Sequence, residues 1–166
     1  MLETYALDIG AELAYAREWW NSRNPAFADF DDLGGDCTNF VSQCIYAGGA
    51  VMNYARDVGW YYRTLGDRAA AWTGVMYFYR FMVTNRGAGP FGTPVPPQDA
   101  EPGDVIQLCT PERCYHSLFV VGRRGGVPTV AVHTFDAYDR PLTDYSFTAA
   151  RALRIRFGRR EKARSG

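Results

Sequence analysis

The sequence predicts an α+β domain, on three observations. Apolar residues recur at helical spacing through the first half, β-branched and aromatic runs bounded by turn residues fill the second, and a Gly- and Pro-rich stretch separates them. Residues 3–22 read as a first helix, because Ala6, Ile9, Leu13, Ala16 and Trp20 form one apolar stripe that stops at Asn24-Pro25. An acidic, aromatic loop (Asp29, Phe30, Asp31, Asp32) leads through Gly34-Gly35 into a short buried helix from Cys37 to Ala47. Asp36 is its expected N-cap and Gly48-Gly49 its stop. Trp60-Tyr61-Tyr62 falls in a loop-like segment. A third helix is expected over 71–84, with Val75, Tyr79, Met82 and Val83 inward, and 87–103 is expected to be irregular. Strands are expected at 105–108, 117–122, 129–134 and 152–157, with Gly125-Gly126 turning between the second and third. The result is N-terminal helices packed on a small, mostly antiparallel sheet.

With 166 residues, 47% hydrophobic and 22% charged, the chain can bury its own core, which excludes disordered and collagen-like classes. We expect one domain over 1–158 and a disordered basic tail over 159–166. Eighteen basic side chains balance eighteen acidic ones, so no broad field calls for nucleic acid or an anionic membrane as partner. No apolar run reaches membrane-span length, and residues 1–15 lack the basic and apolar regions of a signal peptide, so a soluble chain is expected.

Two histidines and four cysteines bound the chemistry. Cys37 follows Gly34-Gly35-Asp36 at a helix start, where unpaired N–H groups carry about half a positive charge and favour a thiolate. Cys44, two turns on, lacks that advantage and reads as core. His116 opens the apolar strand Ser117-Leu118-Phe119-Val120-Val121, a rigid placement suited to a thiol's base. His133 or Asp136, near the end of the following strand, can orient it. Cys109 and Cys114 can close a hairpin disulfide or, with His116 and His133, offer zinc ligands, although Cys-x4-Cys-x-His departs from the usual knuckle. No phosphate-binding Gly-rich loop is present, and no cofactor or metal is implied.

Gly34-Gly35-Asp36-Cys37-Thr38-Asn39-Phe40-Val41-Ser42-Gln43-Cys44 resembles the signature of the putative amidase domain family, a bacterial branch of the papain-like superfamily related to NlpC-type cell-wall cysteine peptidases. Trp60-Tyr61-Tyr62, Trp72-Thr73-Gly74-Val75, Pro102-Gly103-Asp104-Val105-Ile106-Gln107, Tyr115-His116-Ser117 and His133-Thr134-Phe135-Asp136 fit that family in order. The resemblance implies a papain-like fold and a cysteine amidase or peptidase acting through a thioester, with Cys37 as nucleophile and His116 as base. It leaves His133 and Asp136 as alternatives for the third member. Asp36, Thr38 and Asn39 are expected around the oxyanion site or behind the catalytic groups. Trp60, Tyr61, Tyr62 and Tyr115 are expected along the substrate cleft. The implied partner is a peptide or peptidoglycan-like amide. A non-catalytic glycan- or peptide-binding module and an acyltransferase are the alternatives.

Overall fold

The first apolar stripe divides at Leu7-Asp8 into a strand and a helix. In the structure, a computed structural model that describes residues 1–164, β1 (Leu2–Ala6) precedes α1 (Ile9–Trp19). Asp8 caps α1 by accepting from the Ala11 N–H at 3.0 Å, which sets the helix start inside the expected 3–22 span. Residues 2–6 are extended because the last strand offers them a partner, with Leu2 opposite Glu161 and Ala6 opposite Phe157. Tertiary pairing overrides the local helical period here.

In α2 (Cys37–Ala47) every residue from Cys37 to Ile45 is buried. Its buried Thr, Asn, Ser and Gln side chains are all partnered: Thr38 by Ser117, Asn39 by Asp36 and Trp72, Ser42 by Trp60 and the Trp72 carbonyl, Gln43 by Tyr15. Each would cost about 1–3 kcal/mol if left unpaired. A small hairpin follows, β2 (Tyr62–Thr64) with β3 (Asp67–Arg68). The expected helix over 71–84 breaks at Gly74, whose backbone is extended, into α3 (Ala70–Thr73) and α4 (Val75–Thr84). Phe78, Phe81 and Met82 are its buried residues, with Tyr79 and Val83 at the margin. The expected inner face is therefore rotated.

The stretch 87–103 is not irregular throughout, because β4 (Gly89–Val95) pairs with the last strand. Pro90 and Pro94 are tolerated there since β4 bonds on one side only. β5 (Val105–Cys109), β6 (Cys114–Arg124), β7 (Val127–Val132) and β8 (Ala137–Pro141) form an antiparallel meander. β9 (Ala149–Glu161) pairs β5 and then β1 along one edge and β4 along the other, giving the order β1-β9-β5-β6-β7-β8. The expected boundary at 158 falls inside β9: residues 159–161 are strand, with Arg160 bonded to Glu3 and the terminal ammonium on Glu161. Of the rest of that tail, 165–166 lie outside the described residues.

Strand alternation gives the sheet two faces. Val105, Phe119, Ala131 and Leu153 pack with the helices, whereas Ile106, Leu108, Leu118, Val120 and Val130 form a second core with Ala100 and Leu142. Among the described residues, no helix is long and apolar enough to cross a membrane.

Candidate active site

The approach to α2 is built from glycine and one buried carboxylate. Gly34 and Gly35 have φ of 99° and 104°, a left-handed backbone that any side chain would strain. Asp36 is the N-cap by position, but its carboxylate makes no cap bond to the helix. Fully buried, it faces back into the loop instead. Oδ1 accepts from the Phe30 N–H and from Asn39 Nδ2, each at 2.9 Å. Oδ2 lies 2.5 Å from His133 Nδ1 and 3.5 Å from Arg23 Nε. The Asp36 N–H donates to Thr134 Oγ1 at 2.8 Å.

Cys37 is the first residue of α2, as expected, and only 6% exposed. Burial pushes its thiol above the ordinary value, with the nearby Ser117 N–H, Thr38 hydroxyl and Thr38 N–H acting the other way; the Thr38 hydroxyl oxygen lies 3.8 Å from the sulfur. The low thiol that the helix start predicts is thus not the resting condition, because burial raises it. Through Thr38 Oγ1 the sulfur faces the Ser117 end of β6. The hydroxyls of Thr38 and Ser117, 2.9 Å apart and both fully buried, tie α2 to β6 beside it.

His116 stands opposite Leu108, and Ser117 opposite Gln107. Because Ser117 faces α2, the His116 side chain leaves the strand on the other face, where its ring centroid is 6.5 Å from that of Tyr145. Burial lowers its pKa to about 4, so the imidazole is neutral at neutral pH. Among the described residues its ring makes no hydrogen bond, and none joins it to Cys37.

His133 does not orient His116. Its Nδ1 meets Asp36 and its Nε2 lies 2.7 Å from the Trp19 carbonyl. A carbonyl only accepts, so Nε2 carries a proton and one further proton lies between Nδ1 and Asp36 Oδ2. The ring also stacks on Phe40 at 4.0 Å. Asp136 is engaged elsewhere too, its two oxygens held by Arg23 at 2.9 and 3.1 Å. Arg23 further bonds Asp31 at 2.7 Å and approaches Asp29 and Asp36, gathering four carboxylates around the loop before Cys37.

A family model described as "Putative amidase domain" matches residues 7–156. The chain belongs to the putative amidase domain family. That membership marks the domain as amidase-like, a hydrolase type. The chain is also similar to "Uncharacterized protein YhbB" of Bacillus subtilis (strain 168), at 36% identity over 135 residues, which are 78% of this chain and 42% of that protein. It therefore spans about two fifths of that relative's length. No solved structure matches.

In this amidase domain the expected aromatic cleft is mostly core. Trp60 is fully buried with its ring 4.5 Å from Trp72, and Tyr62 is 8% exposed with its hydroxyl accepting from the Ala28 N–H. Tyr61 lies beside Tyr54 and Arg63, while Tyr115 is exposed just ahead of His116. Asn39 is structural, bonding Asp36, the Ala28 carbonyl and Trp72 Nε1. Cys109 and Cys114 are joined as a disulfide across the β5–β6 hairpin, which uses the two sulfurs of the zinc set weighed above. Cys44 is fully buried. Sequence reasoning gave no role to Ser117, Gln107, Arg151 or Arg23. Strand alternation was the usable signal for Gln107, a polar residue in phase with inward-facing Val105.

Proposed function

We propose that this domain is a cysteine-dependent amide hydrolase in which Cys37 is the nucleophile and His116 the base, acting through a thioester acyl-enzyme on peptide-type amides such as those of peptidoglycan. One observation carries the reading: the Cys37 sulfur, at the start of α2, lies 3.8 Å from Thr38 Oγ1, which bonds Ser117, the residue after His116, at 2.9 Å. A cysteine opening a helix that packs on an antiparallel sheet also agrees with a papain-like arrangement.

The resting pair is a neutral thiol and a neutral imidazole, so the proton moves during attack. At rest the imidazole leaves β6 on the face away from the sulfur, so the start of β6 must rearrange to bring it to the thiol, whose proton it then takes. The sulfur bonds to the amide carbon while the oxyanion meets the Cys37 N–H at the helix start. The C–N bond breaks, and imidazolium returns the proton to the leaving amine. Water, deprotonated by His116, then cleaves the thioester, releasing the acid and restoring the thiol. His133, through Asp36, positions the helix start rather than the base.

Incubation with peptidoglycan-derived peptides tests this. The wild type should release free amine, Cys37→Ala and His116→Ala should not, and a rapidly quenched reaction should show the acyl group on the Cys37 peptide by mass. Turnover surviving in Cys37→Ala overturns the assignment. Tight binding of the fragments without product from the wild type favours a binding module, and acyl transfer to an added amine favours a transferase.

A further inference from the structure

Behind the sulfur runs a chain of hydrogen bonds whose directions are fixed by chemistry as far as Ser117. Arg151 Nε lies 2.9 Å from Gln107 Oε1, and a guanidinium can only donate, so this oxygen accepts. Gln107 Nε2 lies 2.9 Å from the Val75 carbonyl, which can only accept. The two ends agree on the amide's orientation, so Nε2 also donates to Ser117 Oγ at 3.1 Å. With that donor satisfying one lone pair, Ser117 is free to give its proton to Thr38 Oγ1, 2.9 Å away. Once the sulfur has lost its proton it can only accept, and Thr38 Oγ1, 3.8 Å away, turns its hydroxyl proton to it.

Gln107, Ser117 and Thr38 are all buried, so water offers these groups no competing partner. Arg151 stands in β9 with its guanidinium 3.6 Å from the Tyr79 ring centroid, which steadies the cationic end.

We infer that Arg151, Gln107, Ser117 and Thr38 form a one-way donor relay that ends on the Cys37 sulfur and stabilises its thiolate, making Thr38 and Gln107 positioning residues for the nucleophile. The inference rests on the proposed nucleophile. Each donor in the relay polarises the next, so a charge on Arg151 is felt at a sulfur it never touches. The relay supplies a stabilisation that appears only as the proton leaves, where burial alone opposes ionisation.

The test is the pH dependence of Cys37 alkylation by iodoacetamide, followed on the Cys37 peptide by mass so that Cys44 is scored separately. Thr38→Val should raise the midpoint by about 1 pH unit, a roughly tenfold slower reaction at neutral pH. Thr38→Ser, which keeps the hydroxyl, should restore it. Gln107→Met, which removes the donor to Ser117 while leaving Thr38 in place, should raise the midpoint by a smaller step and serves if Thr38→Val fails to fold. A reactive wild type whose midpoint is unchanged in folded Thr38→Val, or in Gln107→Met when only that variant folds, overturns the relay alone. A wild type whose Cys37 resists the reagent across the range overturns the nucleophile assignment and the relay with it.

Discussion

His133 Nδ1 lies 2.5 Å from Asp36 Oδ2, and that contact gives the second histidine a task other than catalysis. It closes β7 onto the residue that precedes Cys37, while its other nitrogen takes up a carbonyl at the end of α1. Removing the ring leaves a buried carboxylate short of a donor and a helix end short of a cap. His133→Ala should lower stability by about 3 kcal/mol, measured by urea unfolding. His116→Ala should change it by about 1 kcal/mol or less while abolishing turnover.

Because burial holds His116 near 4, protonation should stop the reaction only in strong acid. The acid limb of kcat/KM is expected at about pH 4, well below the about 6.5 of a free histidine. The native state binds fewer protons than the unfolded chain between those values. The group's contribution to stability is therefore intact above about 6.5 and is lost as pH falls toward 4.

Glu12 gives the opposite slope. Burial, reinforced by Asp8 and Asp104, raises its pKa to about 9, and neither carboxyl oxygen has a hydrogen-bond partner among the described residues. Here the native state holds a proton that the unfolded chain releases near 4.5, so stability falls as pH rises from there through about 9. Glu12→Gln should remove that decline. Melting temperatures at pH 6, 8 and 10 should converge in the variant and diverge in the wild type.

Thr134 and Phe135 both have positive φ, 59° and 62°, in the turn that reaches over the Cys37 loop. Phe135 is 88% exposed, so its side chain offsets little of that strain. Phe135→Gly should stabilise the fold by about 1 kcal/mol. Thr134→Gly should not, because Thr134 Oγ1 also accepts from the Asp36 N–H and bonds Asp31. Thermal unfolding of the two variants distinguishes these outcomes.

Trp60→Ala should cost about 3–5 kcal/mol in chemical denaturation without changing which amides are cleaved, since the ring fills core instead of lining a cleft.

What the chain disclosed locally and what it withheld follow from sequence separation. The α2 start, the inward phase of the meander strands and the special position of Cys37 depend on neighbours a few residues away, and these were legible. At β1 the sequence predicts helix because Ala6 continues the stripe of Ile9 and Leu13, while the strand that captures it lies more than 150 positions away. β4 was hidden by Gly89, Pro90, Gly92 and Pro94, whose composition signals irregular chain and whose edge position makes it harmless. The partners of His133 and Asp136 were out of reach for the same reason: Asp36 is 97 positions from the one and Arg23 is 113 from the other. The aromatic segment at 60–62 misleads in the reverse direction, since its loop-like flanks give no hint that Trp60 and Trp72 pack against each other in the core.

The pairing of β1 with β9 carries a consequence for biosynthesis. Glu3 and Arg160 meet although 157 positions separate them, so at about 5–20 residues per second the first strand waits roughly 8 to 30 s on the ribosome for its partner. Arg151 emerges with that same last strand. A nascent chain thus displays its thiol long before the guanidinium that begins the relay to it exists, and the domain stays chemically quiet until its last strand has been made.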